Sequence, residues 1–119
     1  MDKNPFAGRK ILIVEDDYMI VIDLIHQLEQ LGAHIIGPAS SNEQALRLIA
    51  ETASLGGAVL DLKVSGEMSV PVADALSEKG IRFVFATGTN ANEVPKKFAH
   101  VPFYGKPVSI LEIAQALSV

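Results

Sequence analysis

Apolar positions along the chain alternate between two rhythms. Lys10 to Val14 is an aliphatic run that stops abruptly at Glu15-Asp16-Asp17, the pattern of a strand buried on both faces and followed by a loop. Val21, Leu24, Ile25, Leu28 and Leu31 then recur at three- and four-residue spacing. That spacing predicts one buried stripe of a helix, with Asp17 as a helix-start acid and Gly32 as a left-handed stop. Ala33 to Gly37 predicts a short second strand. Ser40 and Glu43 form a capping-box pattern ahead of a helix whose Ala45, Leu48 and Ile49 face inward, and Gly56-Gly57 predicts its end.

The grammar repeats in the second half. Ala58 to Asp61 is another apolar run ending in an acid, followed by a polar loop through Ser65-Gly66-Glu67. Val70 to Glu78 predicts a helix with Pro71 in its first turn and Gly80 past its end. Ile81 to Ala86 predicts a fourth strand, Thr87-Gly88 a turn, Asn90 to Ala99 a short helix and Val101 to Tyr104 a fifth strand. Ser109 and Glu112 cap a last helix with Ile110, Ile113, Ala114 and Leu117 inward. Strict alternation of five strands and helices predicts an α/β fold, a doubly wound five-stranded parallel sheet covered on both faces. Met1 to Gly8 is expected to be a flexible tail, and residues 9–119 one domain.

Composition narrows the function. The 119 residues are 49% hydrophobic, which suits a single compact core. No cysteine is present, which removes disulfides, thiolate nucleophiles and sulfur-ligated zinc; a cytoplasmic location is the default expectation. The net charge of −4 argues against nucleic acid as a partner, and Lys96-Lys97 is a short basic run only. No run is long enough to span a bilayer, and the N-terminus lacks the apolar stretch of a secretion signal. His26, His34 and His100 show no metal-ligand spacing and read as surface or internally satisfied histidines.

The polar residues that follow the strands carry the chemistry. Glu15 and Asp16 follow the first strand, Asp61 the third, Thr87 the fourth and Lys106 the fifth. In a sheet of this class all of them fall on the carboxyl-end rim, where ligands bind at the reversal of strand order. Taken singly, each is an ordinary helix-start acid or turn residue. Together, bare carboxylates brought side by side repel one another, and a hard divalent cation such as Mg²⁺, which takes oxygen ligands, relieves them. Acid, hydroxyl and ammonium on one rim also match the electrostatic needs of a phosphoryl group.

The set Ile11-Leu12-Ile13-Val14-Glu15-Asp16-Asp17, Leu60-Asp61, Ala86-Thr87-Gly88 and Lys106-Pro107 resembles the response-regulator receiver domains of bacterial two-component systems, often called CheY-like. The resemblance covers nearly the whole chain and implies the flavodoxin-like strand order 2-1-3-4-5. It implies that Asp61 is the phosphoacceptor, that Glu15, Asp16, Asp61 and the backbone carbonyl of Lys63 hold Mg²⁺, and that Thr87 and Lys106 engage phosphoryl oxygens. The Lys106–Pro107 bond would be cis. Thr87 and Phe103 would form the switch pair; Phe103, which lacks a hydroxyl, is otherwise plain core, and Tyr104 projects to the opposite face. The implied partner is a sensor histidine kinase or a histidine phosphotransfer protein, and the implied product an aspartyl phosphate. The protein would be a signalling switch rather than an enzyme acting on a separate substrate, a monomer or weak homodimer with no membrane partner. The sequence stops at Val119, where the last helix of such a domain finishes, so the expectation is a stand-alone receiver that signals by binding another protein, with a fragment of a longer chain as the alternative.

Phe83-Val84-Phe85-Ala86-Thr87-Gly88 also resembles a subgroup of receivers marked by a Phe-Ala-Thr-Gly signature, sometimes called FATGUY. The match ends at Thr89-Asn90, where the subgroup has an apolar residue and then an aromatic. Val64-Ser65-Gly66-Glu67 likewise replaces the Met-Pro and later Gly usual after the phosphoacceptor. Lys63 and Thr89 border the site, where they either tune phosphoryl hydrolysis or, for Lys63, point to water. Three rivals remain. A haloacid-dehalogenase-type phosphatase needs an Asp-x-Asp pair that is missing here. A flavin or nucleotide binder needs a Gly- or Ser/Thr-rich first loop, where this chain is acidic. The third is a receiver-shaped module that no longer accepts phosphate, or one that acts as a phosphate sink; the complete acid, threonine and lysine set argues against the loss of phosphate acceptance.

Overall fold

A computed structural model of the chain describes residues 5–88, 91–106 and 109–117. The elements are β1 (Lys10–Val14), α1 (Tyr18–Gln30), β2 (His34–Ala39), α2 (Asn42–Glu51), β3 (Leu55–Leu60), β4 (Lys63–Val64), β5 (Glu67–Met68) and α3 (Val70–Glu78). They continue with β6 (Phe83–Thr87), two 3₁₀ turns (Ala91–Glu93 and Lys96–Phe98), β7 (Phe103–Gly105) and α4 (Ile110–Leu117). Five strands form one parallel sheet in the order β2-β1-β3-β6-β7, which is the expected 2-1-3-4-5 once the small β4–β5 hairpin is set apart.

The period of two along each central strand divides the core into two layers. Leu12 and Val14 of β1, Ala58 and Leu60 of β3, and Phe83 and Phe85 of β6 face Ala45 and Ile49 of α2 and Val72, Ala73 and Leu76 of α3. The alternate residues, Ile11, Ile13, Val59, Val84 and Ala86, face Leu24 and Leu28 of α1 and Ile113, Ala114 and Leu117 of α4. Phe103 and Tyr104 of β7 pack against opposite layers, as their alternation requires.

Four local expectations need correction. The helix expected over Asn90 to Ala99 is replaced by the two 3₁₀ turns, with Pro95 between them. Proline has no N–H for a helical bond and pushes its predecessor away from helical geometry. Phe98 anchors the second turn by packing edge-on against Phe83 and Phe85, with ring centroids 6.1 and 6.2 Å away. Gly56 and Gly57, expected to break a helix, lie inside β3, where a Cβ on Gly57 would stand 3.2 Å from the Ile11 side chain. The cap of α2 is Ser41 rather than Ser40; its hydroxyl accepts the Gln44 N–H. Finally, the tail expected to be loose over Met1 to Gly8 is ordered at Phe6. Its side chain is fully buried in the second layer, and its N–H donates to the Leu31 carbonyl at 3.0 Å. Replacing Phe6 by Ala should therefore lower unfolding free energy by about 3 kcal/mol in a denaturant titration; an unchanged midpoint would mean that Phe6 adds nothing to the core.

Candidate functional site

The main-chain ladder carries the site residues to one rim. The Glu15 N–H donates to the Ala39 carbonyl and the Asp61 N–H to the Val14 carbonyl, which extends β1 and β3 by one residue each. Both side chains are consequently buried at the end of the sheet, Glu15 at 3% exposure and Asp61 at 8%. Asp16 is exposed beside them, and one carboxylate oxygen from each of the three lies within 4.8 Å of the others. Thr87 ends β6 opposite Gly105 of β7, with its side chain fully buried.

Lys106 closes the group. Its Nζ donates to Glu15 Oε1 at 2.5 Å and to Asp61 Oδ2 at 2.9 Å, while its side chain is only 18% exposed. Every carboxylate also has one oxygen tied to a backbone N–H: Glu15 Oε2 to Asp17 at 3.0 Å, Asp16 Oδ2 to Ser65 at 2.8 Å and Asp61 Oδ1 to Lys63 at 3.3 Å. Burial raises the Glu15 carboxyl above its ordinary value, against the pull of the Lys106 and Asp17 hydrogen bonds, and the nearby Asp61 charge adds to the rise. For Lys106, burial acts downward, but the hydrogen bonds and charges of Glu15 and Asp61 outweigh it and hold the ammonium above its usual value.

Lys63 sends its ammonium to Glu93, 3.3 Å away on the first 3₁₀ turn, so the loops after β3 and β6 are tied together beside Asp61. Both partners are nearly half exposed, which makes the pair weak. Phe103 is half-buried against the first core layer. Asp17 is the N-cap of α1, accepting the N–H groups of Met19 and Ile20, as a helix-start acid should. His26, His34 and His100 are exposed. Thr89, Asn90 and the Lys106–Pro107 bond lie outside the described residues.

Sequence reasoning missed two serines. Ser69 is fully buried ahead of α3 and donates its hydroxyl to the carbonyls of Asp61 at 2.6 Å and Leu62 at 3.1 Å, fixing the backbone that presents Asp61. Ser65 sits at the tip of the β4–β5 hairpin, with its hydroxyl bonded to the Ser40 carbonyl. The signal was the Ser65-Gly66 pair, a two-residue turn flanked by Val64 and Glu67. Strands of two residues leave no alternation by which to recognise it.

Hard oxygen donors on two loops, two of them buried and sharing one ammonium, are a donor set that suits Mg²⁺. Negative charge remains uncompensated around Lys106, and an added cation would relieve it. No helix among the described residues is long and apolar enough to cross a membrane.

No protein-family model matches the chain. Among solved structures, it is similar to the solution structure of SdrG from Sphingomonas melonis Fr1, with 36% identity, a TM-score of 0.81, and coverage of 93% of this chain and 94% of that one. A second SdrG structure, from Pseudomonas melonis Fr1 and described as its BeF3-activated conformation, matches at 33% identity and TM-score 0.79, covering 95% and 98% of the two chains. A response regulator receiver protein from Sinorhizobium medicae WSM419 shares the fold at 22% identity and TM-score 0.78, with 93% and 92% covered. Among curated proteins, the transcriptional regulatory protein PdtaR of Mycobacterium tuberculosis is 25% identical over 99% of this chain. The chain spans 59% of the length of PdtaR.

Proposed function

The chain belongs to the response-regulator receiver family, a family of two-component signalling switches rather than conventional enzymes, and from that premise we propose that it accepts a phosphoryl group on Asp61 in a Mg²⁺-dependent reaction. The observation that carries the proposal is the buried Asp61 carboxylate held between the Lys63 N–H and the Lys106 ammonium, beside two further acids. The donor is a phosphohistidine of a sensor kinase or phosphotransfer protein, or a small phosphodonor. An Asp61 oxygen forms the new P–O bond while the bond from phosphorus to the donor breaks: the P–N bond of a phosphohistidine, whose imidazole nitrogen takes the electron pair and a proton, or the P–O bond of an acyl phosphate, whose carboxylate leaves with the electron pair. The product is an acyl phosphate.

Lys106 is placed to follow the transferred group, since its ammonium already contacts Asp61 and has only to exchange a carboxylate oxygen for a phosphoryl one. Glu15, Asp16, Asp61 and the Lys63 carbonyl would hold Mg²⁺, which when bound neutralises negative charge on the transferring group. Thr87, at the end of β6, would turn its hydroxyl to the phosphoryl oxygens and draw the following turn with it. That segment is built of two 3₁₀ turns rather than a full helix, so it has fewer bonds to lose on rearranging. Phe103 would then move between half-buried and buried positions by apolar area alone, and the altered face would change binding to a downstream protein. The BeF3-activated conformation described for SdrG supports a switch of this kind.

Beryllofluoride, a stable mimic of the aspartyl phosphate, provides the test. Added with Mg²⁺, it should shift the backbone amide signals of Asp61, Lys63, Thr87, Gly88 and Lys106 in a ¹⁵N–¹H spectrum. Spectra that stay unchanged, or that change equally without Mg²⁺, would remove the proposal in favour of a phosphate-independent interaction module.

A further inference from the structure

The β4–β5 hairpin stands directly after Asp61 and reaches back across the acidic group. Its two strands pair Lys63 with Met68 and Val64 with Glu67. Ser65 and Gly66 turn between them, both with positive φ, 52° and 78°, the backbone of a tight mirror-image turn. The tip is staked at two points: the Ser65 N–H donates to Asp16 Oδ2 at 2.8 Å, and the Ser65 hydroxyl donates to the Ser40 carbonyl. The base is held as well. Asn42 Nδ2 donates to the Met68 carbonyl at 3.0 Å, and the Ser69 N–H to the Leu62 carbonyl at 2.8 Å.

The consequence falls on Asp16. Unlike Glu15 and Asp61, it is exposed and receives no bond from Lys106, so the hairpin is what orients its carboxylate. Oδ2 is engaged by Ser65, while Oδ1 has no protein donor among the described residues. A cation can therefore take Oδ1 singly, but chelation through both oxygens would require Oδ2 to give up the Ser65 N–H. Mg²⁺ suits single-oxygen carboxylate ligands in a tight octahedron, whereas Ca²⁺ takes more oxygens and accepts carboxylates through both.

Resting on the Mg²⁺-dependent function proposed above, we propose that the Lys63–Met68 hairpin is a positioning device that fixes Asp16 as a one-oxygen ligand and thereby sets the preference for Mg²⁺ over Ca²⁺. Ser65 is then a positioning residue acting through its main-chain N–H, and Gly66 is required for the turn that delivers it. A Cβ on Gly66 meets nothing within 4 Å, so the demand there is for conformation rather than space.

Two variants of the full chain separate those demands. Gly66→Val places a β-branched residue at a positive φ it resists, whereas Asn tolerates that region. In calorimetric titrations with MgCl₂ and with CaCl₂, Gly66→Val should weaken Mg²⁺ binding by about tenfold, the usual scale for losing an outer partner of a ligand. Its Ca²⁺ affinity should change much less, so the Mg²⁺ preference falls with it. Gly66→Asn should retain both affinities. Equal Mg²⁺ affinity and preference in wild type and Gly66→Val would overturn the hairpin's role while leaving Mg²⁺-dependent phosphorylation standing. A Gly66→Asn variant as weak as Gly66→Val would also overturn it, because the turn conformation would not be the cause. Wild-type protein that binds no Mg²⁺ would overturn both proposals together.

Discussion

Replacing Lys106 with Met is expected to destabilise the metal-free protein by about 3–5 kcal/mol at neutral pH, the range for removing one partner of a buried ion pair. Lys106 is mostly buried and bonded to both Glu15 and Asp61, so its loss leaves two buried carboxylates facing each other with no counter-charge. The deficit should depend on pH in a definite direction. Burial already raises the Glu15 carboxyl above its ordinary 4.5, and losing the ammonium raises it further. A folded-state pKa above the unfolded one makes the fold bind more protons, so this contribution to stability is present at low pH and is lost as pH rises through the raised value. Relative to wild type at each pH, the deficit of Lys106→Met should therefore grow from acid pH toward neutrality, as Glu15 loses its proton with no ammonium beside it. Mg²⁺ should recover part of the loss by replacing the missing positive charge. A deficit independent of both pH and Mg²⁺ would mean that Lys106 acts through packing alone.

Asp61→Asn should abolish acceptance of a phosphoryl group, with the rate from acetyl phosphate falling by at least about a hundredfold, because an amide oxygen does not form a stable acyl phosphate. Neither neighbouring acid is a ready substitute. Glu15 is buried with its oxygens on Lys106 and the Asp17 N–H, and Asp16 receives no bond from Lys106, its Oδ2 being taken by the Ser65 N–H. The same variant removes one of three clustered negative charges, so the metal-free protein should unfold at slightly higher temperature while binding Mg²⁺ more weakly. Unaltered phosphorylation of Asp61→Asn would place the acceptor elsewhere.

The parts of this molecule that were legible in the sequence are those in which one physical demand dominates. β1, β3 and β6 are buried on both faces, so they appear as apolar runs, and the polar residues that end them mark the rim of the sheet. For that reason the sequence assigns Glu15, Asp61, Thr87 and Lys106 to one edge, and in the fold Lys106 bonds both Glu15 and Asp61. The residues that escaped answer to competing demands. Gly56-Gly57 has the composition of a helix stop, yet its role is close approach between strands, which only the neighbouring Ile11 reveals. Phe6 is a single aromatic in a polar stretch, with no period to show that the chain folds back on Leu31. Segment 91–98 has helical composition around Pro95, and the proline decides. Ser65 contributes a backbone N–H, which no side-chain motif records, to a residue 49 positions away.

Most directly decisive is the position of the phosphoryl group itself. Wild-type protein treated with acetyl phosphate, with and without Mg²⁺, would be digested in the cold and its adduct located by fragmentation mass spectrometry. A single phosphoryl group on Asp61, formed only with Mg²⁺, is the predicted result. A group carried by His100 or a serine, or an Asp61 adduct formed equally in a chelator, would contradict the assignment of this acidic cup as a Mg²⁺-dependent phosphoacceptor.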